Sequence, residues 1–400
     1  MDFELSEKMT TILDLVNRFI DDEVIPLEGE MLHGDPAALD AAVRKAQDKV
    51  RQMELWAPNH PVELGGQGLT MVEHGLLSEA LGRTPLGHLV FGAQAPDAGN
   101  IEILHRHATE EQTELFLRPL VEGKVRSCFS MTEPLTAGSN PVLLETTATK
   151  DGDDYVITGQ KWFTSSADGA AFAIVMAVTD PDAPPHQRAS MIIVPTDTPG
   201  FELVRNVSVM GHAGSGHASH AEVMYRHCRV PQRNLLGAEG AGFAIAQERL
   251  GPGRIHHCMR WLGIASRALQ LLCERANERV VAVDGSTLAD RQVIQHWAAE
   301  LDTEIRGARL LTLHAAWMID RYGSKAARDE IAGIKFSVAN TMLRTVDTAI
   351  QVHGALGVTD DTVLAHWYRH ERAARIYDGA DEVHKTSLGK RVLGRHRAKG

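Results

Sequence analysis

Tyr155-Val-Ile-Thr-Gly159, Phe172-Ala-Ile-Val-Met-Ala-Val178 and Ser190-Met-Ile-Ile-Val-Pro195 are short apolar runs rich in β-branched residues, set among the turn pairs Asp151-Gly152, Asp180-Pro181 and Pro199-Gly200. Runs of this length between such turn pairs predict strands. They place an all-β segment between about Arg126 and Gly237.

On the N-terminal side apolar residues recur at helical spacing, as in Ile12, Leu15, Val16, Phe19 and Ile20, with breaks at Pro26 and Gly65-Gly66. After Gly242 long helical patterns return, with Gly285, Gly323 and Gly354 at the breaks, and their lengths suit a bundle. The expectation is an α+β multidomain chain: a helical domain over 1–125, a β-barrel or sandwich over 126–240 and a helical bundle over 241–400.

Four hundred residues with 44% apolar content can bury a sizeable core and suggest two or three domains. A formal charge of -11 argues against nucleic acid as the main ligand but leaves room for a small phosphate-bearing one, which a few arginines and helix N-termini can hold. No apolar run reaches the roughly 18 residues of a membrane helix, and the acidic start does not resemble a signal. Cys128, Cys228, Cys258 and Cys273 form no Cys-x-x-Cys pair, so no disulfide framework or zinc knuckle is expected and a reducing cytoplasm fits. His212, His217 and His220 with Glu222 are the most metal-like set, but they lie in a Gly- and Ser-rich loop without helical His spacing, and no metal is expected. His256-His257-Cys258 are adjacent on a predicted helix, point in different directions and read as packing or pocket-lining residues.

The strongest local feature is Ser127-Cys-Phe-Ser-Met-Thr-Glu-Pro-Leu-Thr-Ala-Gly-Ser-Asn140, followed after a strand by Gly159-Gln-Lys-Trp-Phe-Thr-Ser-Ser166. Small and hydroxyl residues let the backbone approach a flat polar ligand, and Phe163 offers it a ring. Two ordinary β-hairpin loops account for the same residues.

With LWAPNHPVELGGQG (55–68), APDAGNIEIL (95–104), MTEP (131–134), RVPQRNLLG (229–237), QVHGALGV (351–358) and IYDGADEVH (376–384), the chain resembles the acyl-CoA dehydrogenase family over nearly its whole length. ERLGPGRIHHCMR (248–260) and DGADEVH are similar to the subgroup that holds the human members ten and eleven. The resemblance implies the helical, β, helical fold of that family, FAD as cofactor and an acyl-CoA substrate. It also implies an electron-transfer flavoprotein as acceptor, a homotetramer built as a dimer of dimers, and a place in fatty acid β-oxidation.

Carried over by position, the resemblance assigns Phe129, Met131, Thr132, Phe163 and Ser165 to the flavin. Phe163 stands where a tryptophan is usual and Ser165 where a threonine is usual. Arg279, sixteen residues after Gly263, matches an arginine that reaches the FAD diphosphate of a neighbouring subunit, and Gln292 matches a cofactor contact. The segment between them, Val280-Val-Ala-Val-Asp-Gly285, departs from the usual Phe-Gly and is about two residues longer. Gln351, Gly354 and Gly357 match a Gln-x-x-Gly-x-x-Gly turn against the adenylate half, although a helix C-cap would also explain Gly354. Ala380 and Glu382 complete the implied cofactor set, and Ser139, Tyr377 and Gly379 the implied substrate set.

Removing a proton alpha to a thioester requires a carboxylate over the alpha carbon, shielded from water. Asp378, twenty-seven residues after Gln351, stands where most relatives carry glutamate, and the resembling subgroup has aspartate. The family's second base position holds Gly253. Arg254 follows, where a fixed cation would favour the ionised base and the enolate-like transition state. An ordinary helix salt bridge is its alternative. The implied product is a trans-2-enoyl-CoA, the thioester oxygen being held by the Asp378 N–H and a ribityl hydroxyl. Two rival readings fit the same residues: a non-catalytic partner subunit, and a flavin monooxygenase on the same scaffold.

Overall fold

The computed structural model describes residues 4–397. They form two compact units, one of Ala93–Leu250 and the other of the residues up to Gly92 together with those from Gly251 onward. The grouping cuts across the three sequence segments, because the first helical stretch packs with the last only as far as Gly92, and its helices from Asp97 onward join the sheet.

The Ala93–Leu250 unit carries an eight-stranded sheet: β1 (Ser127–Ser130), β2 (Thr147–Asp151), β3 (Asp154–Ser165), β4 (Phe172–Val178), β5 (Ala189–Pro195), β6 (Phe201–Asn206), β7 (His220–Pro231) and β8 (Leu235–Leu236). The order is β6-β7-β3-β2-β4-β5-β8, with β1 also paired to β4. Most neighbours are antiparallel, but β1 and β2 both run parallel to β4. That sharing of β4 makes the sheet mixed.

The apolar runs 155–159, 172–178 and 190–195 lie in β3, β4 and β5, and β4 pairs β5 from Phe172↔Pro195 to Val178↔Ala189. Residues 172–177 and 189–194 are buried throughout, which is why the two strands read as continuous apolar runs without alternation. β3 and β7, which do alternate, contribute Tyr155, Ile157, Val223, Tyr225, Cys228 and Val230 to the core. The helix Asp97–His107 is tied to β1 through Asp97, whose Oδ1 accepts from Ser127 N (2.8 Å) and Ser127 Oγ (2.6 Å).

The second unit is helical. Its principal elements are Glu7–Phe19, Pro36–Gln52, Met71–Leu81, Gln292–Tyr322, Arg328–His353 and Asp381–Arg395, with most of Gly242–Glu278. Thr70 and Glu73 close a capping box on Met71–Leu81, and Asp320 accepts from the Met71 (2.8 Å) and Val72 (3.2 Å) N–H groups, placing negative charge at the positive end of that helix. Gly263 permits a close helix crossing, since a Cβ there would stand 2.2 Å from the Glu79 carbonyl. The crossing brings the Ser78 hydroxyl to the His256 carbonyl at 2.8 Å. Among the described residues no helix is long and apolar enough to cross a membrane.

Candidate active site

In the helical unit the short turn Arg372–Arg375 is followed by Ile376, Tyr377 and Asp378, and the last helix starts at Asp381 with Ala380 at its N-cap. Asp378 adopts a left-handed backbone (φ 53) and Gly379 follows it (φ 96). Aspartate tolerates this region better than most side chains, and glycine enters it freely. A Cβ on Gly379 would stand 2.7 Å from His384 Nε2, so the tight turn and the histidine require each other.

The turn is held from three directions. The Asp378 carbonyl accepts from Arg254 Nε (3.3 Å) and lies 3.0 Å from His384 Nε2. The Lys335 ammonium, fully buried in Arg328–His353, donates to the carbonyls of Ala374 (2.7 Å) and Gly379 (3.2 Å). Tyr377 Oη accepts from Arg260 (2.9 Å) and Trp261 Nε1 (3.2 Å), while Arg260 grips Glu371 with both terminal nitrogens. Trp261 Nε1 also reaches Glu371 at 3.0 Å. Burial pushes Arg254 and Lys335 below their ordinary values, and the Asp378 charge pulls both back up.

The Asp378 carboxylate approaches His257 Nε2 at 3.3 Å, with side-chain exposures of 18% and 17%, so the pair is sheltered but not sealed from water. Asp378 and Arg254, paired in the sequence reading, do come together, through the Asp378 carbonyl. Lys335 and His384 were not among the expected site residues, and His257 was expected only to pack or line a pocket. His257 lies one helical turn beyond Arg254, a spacing that puts both on one face. Lys335 was visible as a lone cation in the otherwise uncharged stretch Ile331–Asn340.

Elsewhere in the same unit Arg279 donates to the His353 carbonyl (3.3 Å). It also lies 3.0 Å from where a Gly354 Cβ would be. Gly354 has φ 66, and a Cβ on Gly357 would stand 2.6 Å from the Ile350 carbonyl. Arg279, Gly354 and Gln351, in the last turn of its helix, are therefore neighbours. Gln292 opens the next long helix, and Glu382 lies exposed in the first turn of the last. Val280 and Thr287 bridge across the 280–285 segment, where Val280 and Val283 are exposed.

The β unit gathers the other predicted residues. Thr132 lies beyond the end of β1, and its carbonyl accepts from Trp162 N (3.0 Å). The Lys161 ammonium, fully buried, donates to the Met131 carbonyl (2.8 Å) and Glu133 Oε1 (2.9 Å), and Glu133 also accepts from the N–H groups of Glu145 and Thr146. Burial opposes the Glu133 charge, but Lys161 and these donors outweigh it and hold its carboxyl below the ordinary value. Burial brings Lys161 down to about 8 against the upward pull of Glu133.

Phe163 is 43% exposed in a left-handed conformation (φ 48), its ring near Trp162 and His220. Ser165 Oγ lies 2.8 Å from His220 Nδ1. The Arg249 guanidinium covers the Phe129 ring at 4.3 Å. Ser139 is exposed, next to Gly138, whose Cβ would come within 3.2 Å of Thr132. Among the described residues no group of three or more His, Cys, Asp or Glu could hold a metal.

The N-terminal, middle and C-terminal domain families of the acyl-CoA dehydrogenases match residues 6–124, 128–227 and 240–393, and the chain belongs to the acyl-CoA dehydrogenase family. It is similar to the probable acyl-CoA dehydrogenase FadE2 of Mycobacterium tuberculosis, 44% identical over 100% of this chain and 98% of the relative. Mouse acyl-CoA dehydrogenase family member 11 is 40% identical over 98% of this chain, which spans 51% of that relative's length. A solved Mycobacterium abscessus structure assigned to the acyl-CoA dehydrogenases superposes with a TM-score of 0.94 at 36% identity, covering 99% of this chain and 100% of that one.

The cofactor of this family is FAD, and the residues present fit it. The exposed Phe163 ring and the Thr132 and Ser165 hydroxyls suit a flat polar ring system, while Arg279 beside side-chain-free Gly354 suits a diphosphate.

Proposed function

We propose that the chain removes a proton alpha to the thioester of an acyl-CoA, with Asp378 as base, and yields a trans-2-enoyl-CoA. The observation that carries this reading is the Asp378 carboxylate, sheltered at a left-handed turn whose carbonyls take Arg254, His384 and Lys335. An anchored backbone keeps the shorter aspartate side chain in one place, the condition for a base that must meet one C–H bond. FAD, when bound, supplies the acceptor for the beta hydride.

Thr132, Met131, Phe129, Phe163 and Ser165 would hold the flavin ring. Arg279, Gln292, Gln351, Gly354, Ala380 and Glu382 would hold the rest of the cofactor. Ser139, Tyr377 and Gly379 would meet the substrate, and Arg254 would favour the ionised base. An electron-transfer flavoprotein as acceptor, a homotetramer and a role in fatty acid β-oxidation complete the proposal. The cysteines, all free and three of them buried, suit the proposed cytoplasmic location.

The test is an anaerobic titration of the purified flavoprotein with a panel of acyl-CoAs. Wild type should bleach with at least one of them, and Asp378→Asn should keep its flavin but lose reduction by about a thousandfold or more. Bleaching by Asp378→Asn at the wild-type rate overturns the assignment. A wild-type protein that no acyl-CoA reduces points to a non-catalytic subunit, and oxygen-dependent product formation that survives Asp378→Asn points to a monooxygenase.

A further inference from the structure

Asp378 carries its carboxylate on a single methylene, and its Oδ2 lies 3.3 Å from His257 Nε2. The imidazole is itself positioned. It stacks with Trp261 (centroids 6.0 Å), meets the Tyr377 ring edge-on (5.3 Å) and meets His256 (5.4 Å). Trp261 and Tyr377 are joined by a hydrogen bond, so the ring contacts two side chains that already fix each other.

We propose that His257 is the positioning residue of Asp378: it holds Oδ2, leaves Oδ1 to take the substrate proton, and through its own charge state sets how strong a base Asp378 is. This rests on the reading of Asp378 as the base. The proton of the α C–H bond passes to Oδ1, its electron pair stays with the substrate, and His257 keeps its own proton throughout. A neutral ring presents Nε2 to the carboxylate and orients it. An imidazolium at the same place adds a second cation to that of Arg254 and weakens the carboxylate as a proton acceptor. Activity therefore rises as the ring deprotonates.

Ionisable groups surround the ring on several elements. Its own helix contributes Arg254, His256, Cys258 and Arg260. The 371–379 segment contributes Glu371, Tyr377 and Asp378, and the neighbouring helical elements contribute His74, His88, Lys335 and His384. Burial holds His74, His88, His256 and His384 below the ordinary histidine value. The Arg260 charge is matched by Glu371. Asp378 is the carboxylate that His257 faces at ion-pairing distance, and both side chains retain some contact with water.

The experiment compares wild type, His257→Leu and His257→Gln by the rate of anaerobic flavin reduction from pH 5.5 to 9, with flavin content and thermal melting as checks on folding. His257→Leu should slow reduction about tenfold to a hundredfold with substrate binding changed less than threefold. His257→Gln, which keeps an N–H donor but no titration, should recover most of the rate. The wild-type limb near the imidazole range should be absent in both variants. Calorimetric binding of a non-reducible thioether analogue of acyl-CoA in two buffers gives a second readout: wild type should exchange a fraction of a proton near that limb, and His257→Gln none.

Wild-type rates and pH profile in both variants overturn the inference while leaving Asp378 as base, provided Asp378→Asn is inactive. Active Asp378→Asn overturns the underlying reading instead. If His257→Leu does not fold, the His257→Gln profile decides alone.

Discussion

The β unit buries a lysine and a glutamate with their charges on, whereas the helical unit buries three imidazoles with their charges off. Lys161 and Glu133 sit 2.9 Å apart at 0% and 4% exposure, and the remaining acceptor capacity of Glu133 takes two backbone N–H groups. His74, His88 and His256 cluster around Ser78, whose hydroxyl lies 3.0 Å from His88 Nε2 and 3.4 Å from His256 Nδ1. Among the described residues no carboxylate enters this second cluster, and burial alone pushes His74 down to about 4.

The difference reflects what each cluster holds. The ion pair pins a loop, Met131–Glu133, whose backbone has few strand partners of its own and gains from a strong, directional anchor. The imidazoles join helices whose backbones are already satisfied, so neutral rings that pack suffice, His88 and His256 sharing the Ser78 hydroxyl.

Breaking the pair from one side tests the comparison most severely. Lys161→Ala leaves a carboxylate buried without its cation and should cost about 3–5 kcal/mol in urea unfolding of the β unit. A Lys161→Met, Glu133→Gln double variant should regain much of that, because neither member is then a stranded charge. A double variant no more stable than Lys161→Ala would break the reading of a paired charge.

Acid tests the other cluster. The folded value of His74, about 4, lies below the ordinary 6.5, so between them the unfolded chain binds more protons. Stability is complete above about pH 6.5 and is lost as pH falls toward 4, by about 3 kcal/mol for His74 alone. His88 and His256 shift in the same direction. Urea midpoints of the helical unit that stay constant from pH 7 to 4.5 would contradict the neutral cluster.

The smallest effect is expected from Ser78→Ala. It removes the bond to the His256 carbonyl and the hydroxyl beside His88, for about 1–2 kcal/mol, and a change below about 0.3 kcal/mol would show that the hydroxyl is dispensable.

Much of the architecture was legible in the chain. The apolar runs of β4 and β5 announced themselves because every residue in 172–177 and 189–194 is buried. The helices announced themselves by spacing and by caps such as Thr70-x-x-Glu73. The parallel approach of β1 and β2 to β4 was not legible, since register between distant strands leaves no local trace. Within the candidate site, Asp378 and Arg254 were reached through motif position. Lys335 and His384 were not, because their partners are backbone carbonyls, which every residue has and no sequence pattern marks.

His257 shows the boundary most clearly. Read along the chain, adjacent histidines on a helix diverge, and so they do: His256 turns to Ser78 and His257 to Asp378. Local propensity, period and turn chemistry act over a few residues, so the sequence by itself determined where strands and helices lie, which segment carries the acid, and the family. Only the tertiary structure decided what faces that acid, because residues 121 positions apart meet only after burial of the apolar faces has set the helices against one another.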